Sequence, residues 1–323
     1  MRFFCKVLSL AVIFSMIFAL FSCVPPTLSD GEYYAFTDDL GREVKLDKVP
    51  SRVAVLFSSY AEIWQLAGGE ALITVGDSVE RGFAEEDAIL VDGGAGHTTL
   101  DVETLVAASP DFVIGTADYP VQVEACELLA SYGIPTALFR VEAFDDYLRV
   151  LRVFTDILGT EEKYAEHGTA VKAQIDGYFE AVFDYLEVIP DGEKKMLFMR
   201  AGSSPRSTKA KRAEDHFACA MLEELGLSNI ADTAPVLLDG LSEEEIVIAD
   251  PEYIFVAMMG EDEEAVKSNA NSILSGGGYA KLSAVAEGRV EFLPKSLFHY
   301  KPNHRWADAY LYLIELLYPE VEI

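Results

Sequence analysis

At 323 residues, half of them hydrophobic, the chain has the material for one large or two ordinary domains with a sizeable core, which excludes disorder as its default state. Its formal charge of −29, from 54 acidic against 25 basic side chains, argues against general nucleic-acid binding, because a phosphate backbone demands a net positive surface. A basic cluster in so acidic a body is an exception that needs a reason.

Residues 1–22 read as an export leader. Arg2 and Lys6 precede VLSLAVIFSMIFALF, an uncharged run of 15 residues, short for crossing a bilayer. It ends in LFSC, where Leu20, Ser22 and Cys23 resemble a bacterial lipobox whose Cys23 becomes the lipidated first residue. The competing reading is an ordinary signal peptide with a chance cysteine. Residues 23–33 then form a Pro-bearing, lipid-anchored tether.

From residue 34 the body begins with YYAFTDDLGREVKL, which alternates around Asp39, Leu40 and Gly41 and predicts a hairpin. RVAVLF, LITVGD, DFVIGT and PTALFR are strand-like, and YAEIWQLAG, DVETLVAAS and QVEACELLASYG between them carry helical spacing. This βαβ rhythm defines a first lobe over residues 34–158. Residues 159–189 read as one interlobe helix, with Tyr164, Val171, Ile175, Phe179, Val182 and Leu186 on one face. Such a helix is on the order of 40 Å long, a stiff strut between lobes. Gly168 and Gly177 weaken it, each costing up to about 1 kcal/mol relative to Ala. The rhythm resumes in a second lobe, residues 190–323. KKMLFMR, EYIFVAM and RVEFLP are its strands, and HFACAMLEELG, EEEIVIAD and WADAYLYLIELLY its helices. The predicted fold class is α/β, two Rossmann-like lobes joined by a single long helix, with a ligand cleft between them.

One segment is written twice. LDVETLVAASPDFVIG at 100–115 aligns with LSEEEIVIADPEYIFV at 241–256, so that Glu103 falls on Glu244, Val106 on Val247 and Pro110 on Pro251. A carboxylate in a first helical turn is favoured by the helix dipole, which accounts for the residue type in each copy. It leaves the equivalence unexplained. Matching lobes would project Glu103 and Glu244 from matching surfaces, suited to a partner with two basic sockets.

Motifs for other chemistry are missing. The sequence has no GxSxG elbow, GxxxxGK[ST] loop, CxxC pair or HExxH, so neither an enzyme nor a structural metal site is predicted. Cys126 and Cys219 sit in apolar helical patterns and read as core thiols.

GREVKLDKVPSRVAVL, the segment around Glu103, its echo around Glu244, and LSAVAEGRVEFLP before a final helix ending LLYPE resemble the substrate-binding proteins of ABC importers for ferric siderophores, haem and cobalamin. The resemblance covers about residues 34–320. It implies a monomeric, extracytoplasmic binding protein that closes modestly on its ligand and delivers it to a permease dimer with its ATPase. It further implies that Glu103 and Glu244 dock onto permease Arg residues, with Glu243 and Glu245 flanking the second position.

Ligands of α/β sheets collect at the carboxyl ends of strands. There RAGSSPRSTKAKR carries five basic residues in 13, of which Arg200, Arg206 and Lys209 are candidate anion contacts, and Lys211 and Arg212 read as solvated. SLFHYKPNHRWADAY adds His299, Tyr300, Lys301, Arg305 and Trp306, with His304 beside them. Arg offers a planar fork to carboxylate or catecholate oxygens, and aromatic faces cover the organic part of a chelate. Each histidine has a capping or packing role as its alternative. After the opening strand, Ser59 and Tyr60 complete the set, Tyr60 with the further option of ligating haem iron. No resident cofactor is expected. The predicted ligand is a ferric siderophore, with haem the runner-up, and cobalamin, an oxyanion or an enzymatic role behind it.

Overall fold

The computed structural model describes residues 31–92, 99–187, 194–234, 242–260 and 262–323. The leader and Cys23 lie outside them, as does Pro190. Among the described residues no helix is long and apolar enough to cross a membrane.

The body opens with β1 (Tyr34–Thr37) and β2 (Glu43–Leu46), an antiparallel hairpin whose turn takes Gly41 to a φ of 75°. Asp38 fastens it down. The Asp38 carboxylate, 4% exposed, accepts from the Arg42 guanidinium at 2.6 Å and from the Leu138 backbone N–H at 3.1 Å.

A five-stranded parallel sheet follows, built from β3 (Val53–Val55), β4 (Ile73–Thr74), β5 (Ile89–Leu90), β6 (Phe112–Thr116) and β7 (Thr136–Phe139) in the order β5-β4-β3-β6-β7. Its crossovers are α1 (Ser58–Leu66), α2 (Gly76–Glu80), α3 (Val102–Ala107) and α4 (Pro120–Ser131). Every residue of β3, β6 and β7 is buried, as strands covered by helices on both faces must be. α5 (Phe144–Leu158), left unassigned by the sequence patterns above, closes the lobe and ends at Gly159 in the left-handed conformation.

The connector is helical from α6 (Glu161–Tyr164) through a π-turn, Ala165–Thr169, into α7 (Ala170–Glu187). Gly168 belongs to this wider turn, where a Cβ would sit 3.3 Å from Leu148 and Leu151 of α5. Its cost to the helix is therefore the condition for close packing. Val171, Ile175 and Val182 are buried, and Phe179 meets Tyr310 with ring centroids 5.4 Å apart.

The second lobe repeats the plan. β8 (Lys195–Ala201), β10 (Ser228–Asn229), β11 (Tyr253–Met258) and β12 (Val290–Leu293) run parallel in the order β10-β8-β11-β12, and the short β9 (Lys209–Ala210) pairs antiparallel with β8. Around them lie α8 (Phe217–Glu224), α9 (Ile230–Thr233), α10 (Glu243–Ala249), α11 (Glu263–Leu274), α12 (Ser283–Ala286), α13 (Lys295–Phe298) and α14 (Trp306–Leu317). α14 returns to pack on α7. Cys126 in α4 and Cys219 in α8 are free and buried, and burial pushes the Cys126 thiol up to about 12.

The duplicated segment forms the same corner in both lobes. α3 and α10 each leave through a left-handed residue, Ser109 at φ 52° and Asp250 at φ 43°, then pass through proline into a strand. The first residue of that strand's approach is tied to the lobe's opening strand: Asp111 donates to the Arg52 carbonyl at 3.0 Å and Glu252 to the Lys195 carbonyl at 2.8 Å. The cations of those two residues cap the helix ends, Arg52 on the Ala108 carbonyl at 2.5 Å and Lys195 on the Ala249 carbonyl at 3.2 Å.

One apolar core cluster draws on both lobes, and Trp306 bridges its two halves. Completely buried, it meets Phe144 of the first lobe at 6.1 Å and Phe217 of the second at 5.4 Å. Trp306→Ala should cost about 3–5 kcal/mol in chemical denaturation. Trp306→Phe, which also removes a buried indole N–H without a partner among the described residues, should keep ligand affinity within about twofold.

Candidate functional site

Each parallel sheet reverses its strand order once, between β3 and β6 in the first lobe and between β8 and β11 in the second. At such a reversal the loops leave in opposite directions and open a crevice at the carboxyl ends of the strands. The two crevices meet in one cavity of about 340 Å³. Phe57 and Ser59 enter it after β3, Tyr119 after β6, Arg200 at the end of β8 and Met259 after β11. Glu142, beyond β7, and Asp215 to Phe217, at the start of α8, complete the wall with His299, Tyr300 and Lys301.

Of the residues singled out from sequence, Ser59, Arg200, His299, Tyr300 and Lys301 line this cavity. Others do not. Tyr60 is 1% exposed and faces the core, where its hydroxyl donates to the Phe139 carbonyl at 2.8 Å, because one step along α1 from Ser59 turns the side chain through about 100°. Trp306 is core for the reason given above. Arg206 stands exposed on the turn Pro205–Ser207, and Lys209, though paired with Arg200 in the β8–β9 register, is outside the lining. Arg305 is drawn along α14 by Asp308 at 2.9 Å. His304 meets Glu62 at 3.1 Å, while Asn303 donates to Glu62 at 2.8 Å and to the Ser59 carbonyl at 2.9 Å. This knot holds the segment after His299–Lys301 against α1.

The cavity's charges are unevenly matched. Lys301 pairs with Glu142 of the opposite lobe at 3.1 Å, and Asp215 accepts from the Arg212 side chain at 3.2 Å. Arg200 has no carboxylate within ion-pair distance among the described residues. Arg81 lies over the Tyr300 ring at 3.8 Å and donates to Ser58 at 2.8 Å, which braces that aromatic wall.

Two imidazoles face the cavity in different tautomers. His299 Nδ1 lies 2.9 Å from the Met258 carbonyl, which can only accept, so Nδ1 carries the proton and Nε2 the lone pair. His216 Nδ1 accepts the Ala218 N–H at 3.2 Å as the N-cap of α8, so in the neutral ring Nε2 carries the proton. Burial holds the His216 ring down at about 3, helped by Lys301 and Arg200, and burial lowers His299 as well. A histidine neutral in the fold and protonated when unfolded contributes stability above about pH 6.5 that is lost as pH falls towards its folded value, by up to about 1.4 kcal/mol per unit. Chemical denaturation between pH 7 and 4 should show this slope, and His216→Asn, which keeps a capping acceptor, should flatten it.

Sequence reasoning missed Phe57, Tyr119, Glu142, Asp215, His216, Phe217 and Met259. The signal was available for several of them. Tyr119, Glu142 and Met259 each follow a strand that the apolar runs mark, at the carboxyl end where ligands of such sheets collect.

Away from the cavity, Glu103 and Glu244 are both exposed in the first turns of α3 and α10. Val106 and Val247 beside them are 39% and 40% exposed, so the two copies offer matching apolar contacts as well as matching charge. Glu243 is engaged by the Gly278 N–H, which separates it from Glu244 in role.

The family described as periplasmic binding protein matches residues 53–297. No curated protein sequence matches the chain. Among solved structures, Staphylococcus aureus SirA complexed with staphyloferrin B is 16% identical with a TM-score of 0.65, over 90% of this chain and 99% of that one. The apo periplasmic heme-binding protein RhuT from Roseiflexus sp. RS-1 is 17% identical with a TM-score of 0.63, over 84% and 99% of the two chains. A periplasmic solute binding protein from Veillonella parvula is 17% identical with a TM-score of 0.65, over 88% and 86%. At such identities these likenesses show the fold.

Proposed function

The chain belongs to the periplasmic binding protein family, whose members bind solutes and are not enzymes, and from that premise we propose that it captures a ferric siderophore and delivers it to an ABC importer. The observation that carries the reading is Arg200. It is a guanidinium at the switch point of a sheet, lining a cavity and lacking a carboxylate partner among the described residues, in a protein of net charge −29. Such a group suits the carboxylate or catecholate oxygens of an iron chelate, and Phe57, Tyr119, Phe217 and Tyr300 suit its organic framework. Lipidation at Cys23 would keep the body at the membrane, and Glu103 and Glu244 would seat it on the two permease subunits.

Haem is the second reading, favoured by His299. Its ring is held by the Met258 carbonyl in the tautomer whose Nε2 can coordinate iron. Stripped protein titrated with ferric siderophores, haem and cobalamin, followed by intrinsic fluorescence and visible absorbance, separates the readings. Saturable 1:1 quenching by a ferric siderophore supports the first. A Soret shift on adding haem, with no response to siderophores, replaces it with the second, and silence towards every iron compound overturns both.

A further inference from the structure

Glu142 has no place in a simple anion receptor. It stands in the cavity wall of the first lobe, and its carboxylate reaches across to Lys301 of the second, so that one of the two cations lining the cavity is already matched by the protein itself. The carboxylate's attachment is also constrained. The Glu142 N–H donates to Asp146 at 3.0 Å and the next N–H, of Ala143, to the same oxygen at 3.1 Å, which fixes this backbone at the entrance to α5. The pair does little to hold the lobes together, because both partners keep solvent contact, Lys301 19% and Glu142 34% exposed at the side chain. The second carboxylate in the wall, Asp215, is tied to Arg212 of its own lobe.

We propose that Glu142 is a specificity-determining residue, which leaves the ligand a single anionic contact at Arg200 and requires a neutral, hydrogen-bond-donating or cationic group opposite Glu142. The inference rests on the iron-chelate reading and deepens it. A highly charged chelate that reached Lys301 would displace Glu142 and leave two like charges facing each other in a partly desolvated cleft. A chelate with one anionic arm and a pendant ammonium places its negative charge on Arg200 and lets the ammonium share the Glu142 carboxylate with Lys301, so that no carboxylate is stripped of its partner. The favoured class is therefore an iron chelate of low net charge carrying an amine or amide donor, and the disfavoured class is the triply negative tris-catecholate.

The test titrates wild-type protein, Glu142→Gln and Glu142→Asp with three probes: a ferric tris-catecholate, a neutral ferric trihydroxamate and a ferric trihydroxamate bearing a pendant amine. Wild type should prefer the amine-bearing trihydroxamate and bind the tris-catecholate most weakly. Glu142→Gln should strengthen the tris-catecholate by about tenfold and weaken the amine-bearing probe, and Glu142→Asp should restore the wild-type order. An unchanged order in Glu142→Gln, or equal weakening of all three probes, overturns the assignment. So does a wild-type preference for the tris-catecholate, although the iron-chelate reading then stands. Failure of wild type to bind any ferric chelate overturns that reading and the inference with it.

Discussion

Arg200→Ala should weaken a bound ferric chelate by about 1.5–3 kcal/mol, or on the order of 10- to 150-fold, as expected for losing a hydrogen bond to a charged group. The same change at Arg206 or Lys209 should alter affinity by less than about twofold, since neither side chain lines the cavity. The contrast is informative because all three residues come from one basic run of 13 residues, and only Arg200 sits where β8 ends at the switch point. Arg200→Lys should fall between, keeping the charge and losing the planar fork. Equal losses at all three positions would mean that the run acts as a diffuse electrostatic field, which salt would abolish.

Glu103→Ala combined with Glu244→Ala should abolish chelate uptake by cells while leaving chelate affinity unchanged, and each single change should reduce uptake by about tenfold or more. The carboxylates are exposed, away from the cavity lining, and carried by the same corner in each lobe. Reversing both charges should be as damaging as removing them, and a compensating reversal in the permease should restore transport. Lost binding in the double variant would instead assign these residues to the ligand site.

The fold was legible because its grammar is redundant. Apolar runs such as DFVIGT and EYIFVAM are short, rich in β-branched and aromatic residues and preceded by proline, which reads as buried strand, and Pro110 and Pro251 mark the same corner twice. α11 is hard to read because it buries only Val266, Ala270 and Leu274 in an otherwise polar segment, whereas α5 carries a clear helical stripe of Tyr147, Val150, Leu151, Phe154 and Ile157, all buried. The lining of the candidate cavity was legible where chemistry and topology coincide, as at Arg200 and at His299 to Lys301. Where they diverge, residue type misled. Tyr60 and Trp306 are attractive ligand contacts by chemistry, yet an aromatic ring beside a switch point packs inward when the core has a place for it, and both do. Glu142 escaped for the opposite reason. A carboxylate is not what a search for anion receptors seeks, and its meaning depends on Lys301, 159 positions away.

The most direct measurement is a crystal structure of the protein loaded with the ferric chelate that it binds most tightly. The account predicts the chelate between the two lobes, with an oxygen on the Arg200 guanidinium, its framework against Tyr300 and Phe217, and Glu103 and Glu244 still exposed to solvent. A chelate bound outside this cavity, or one within it that leaves Arg200 in solvent, would contradict the account.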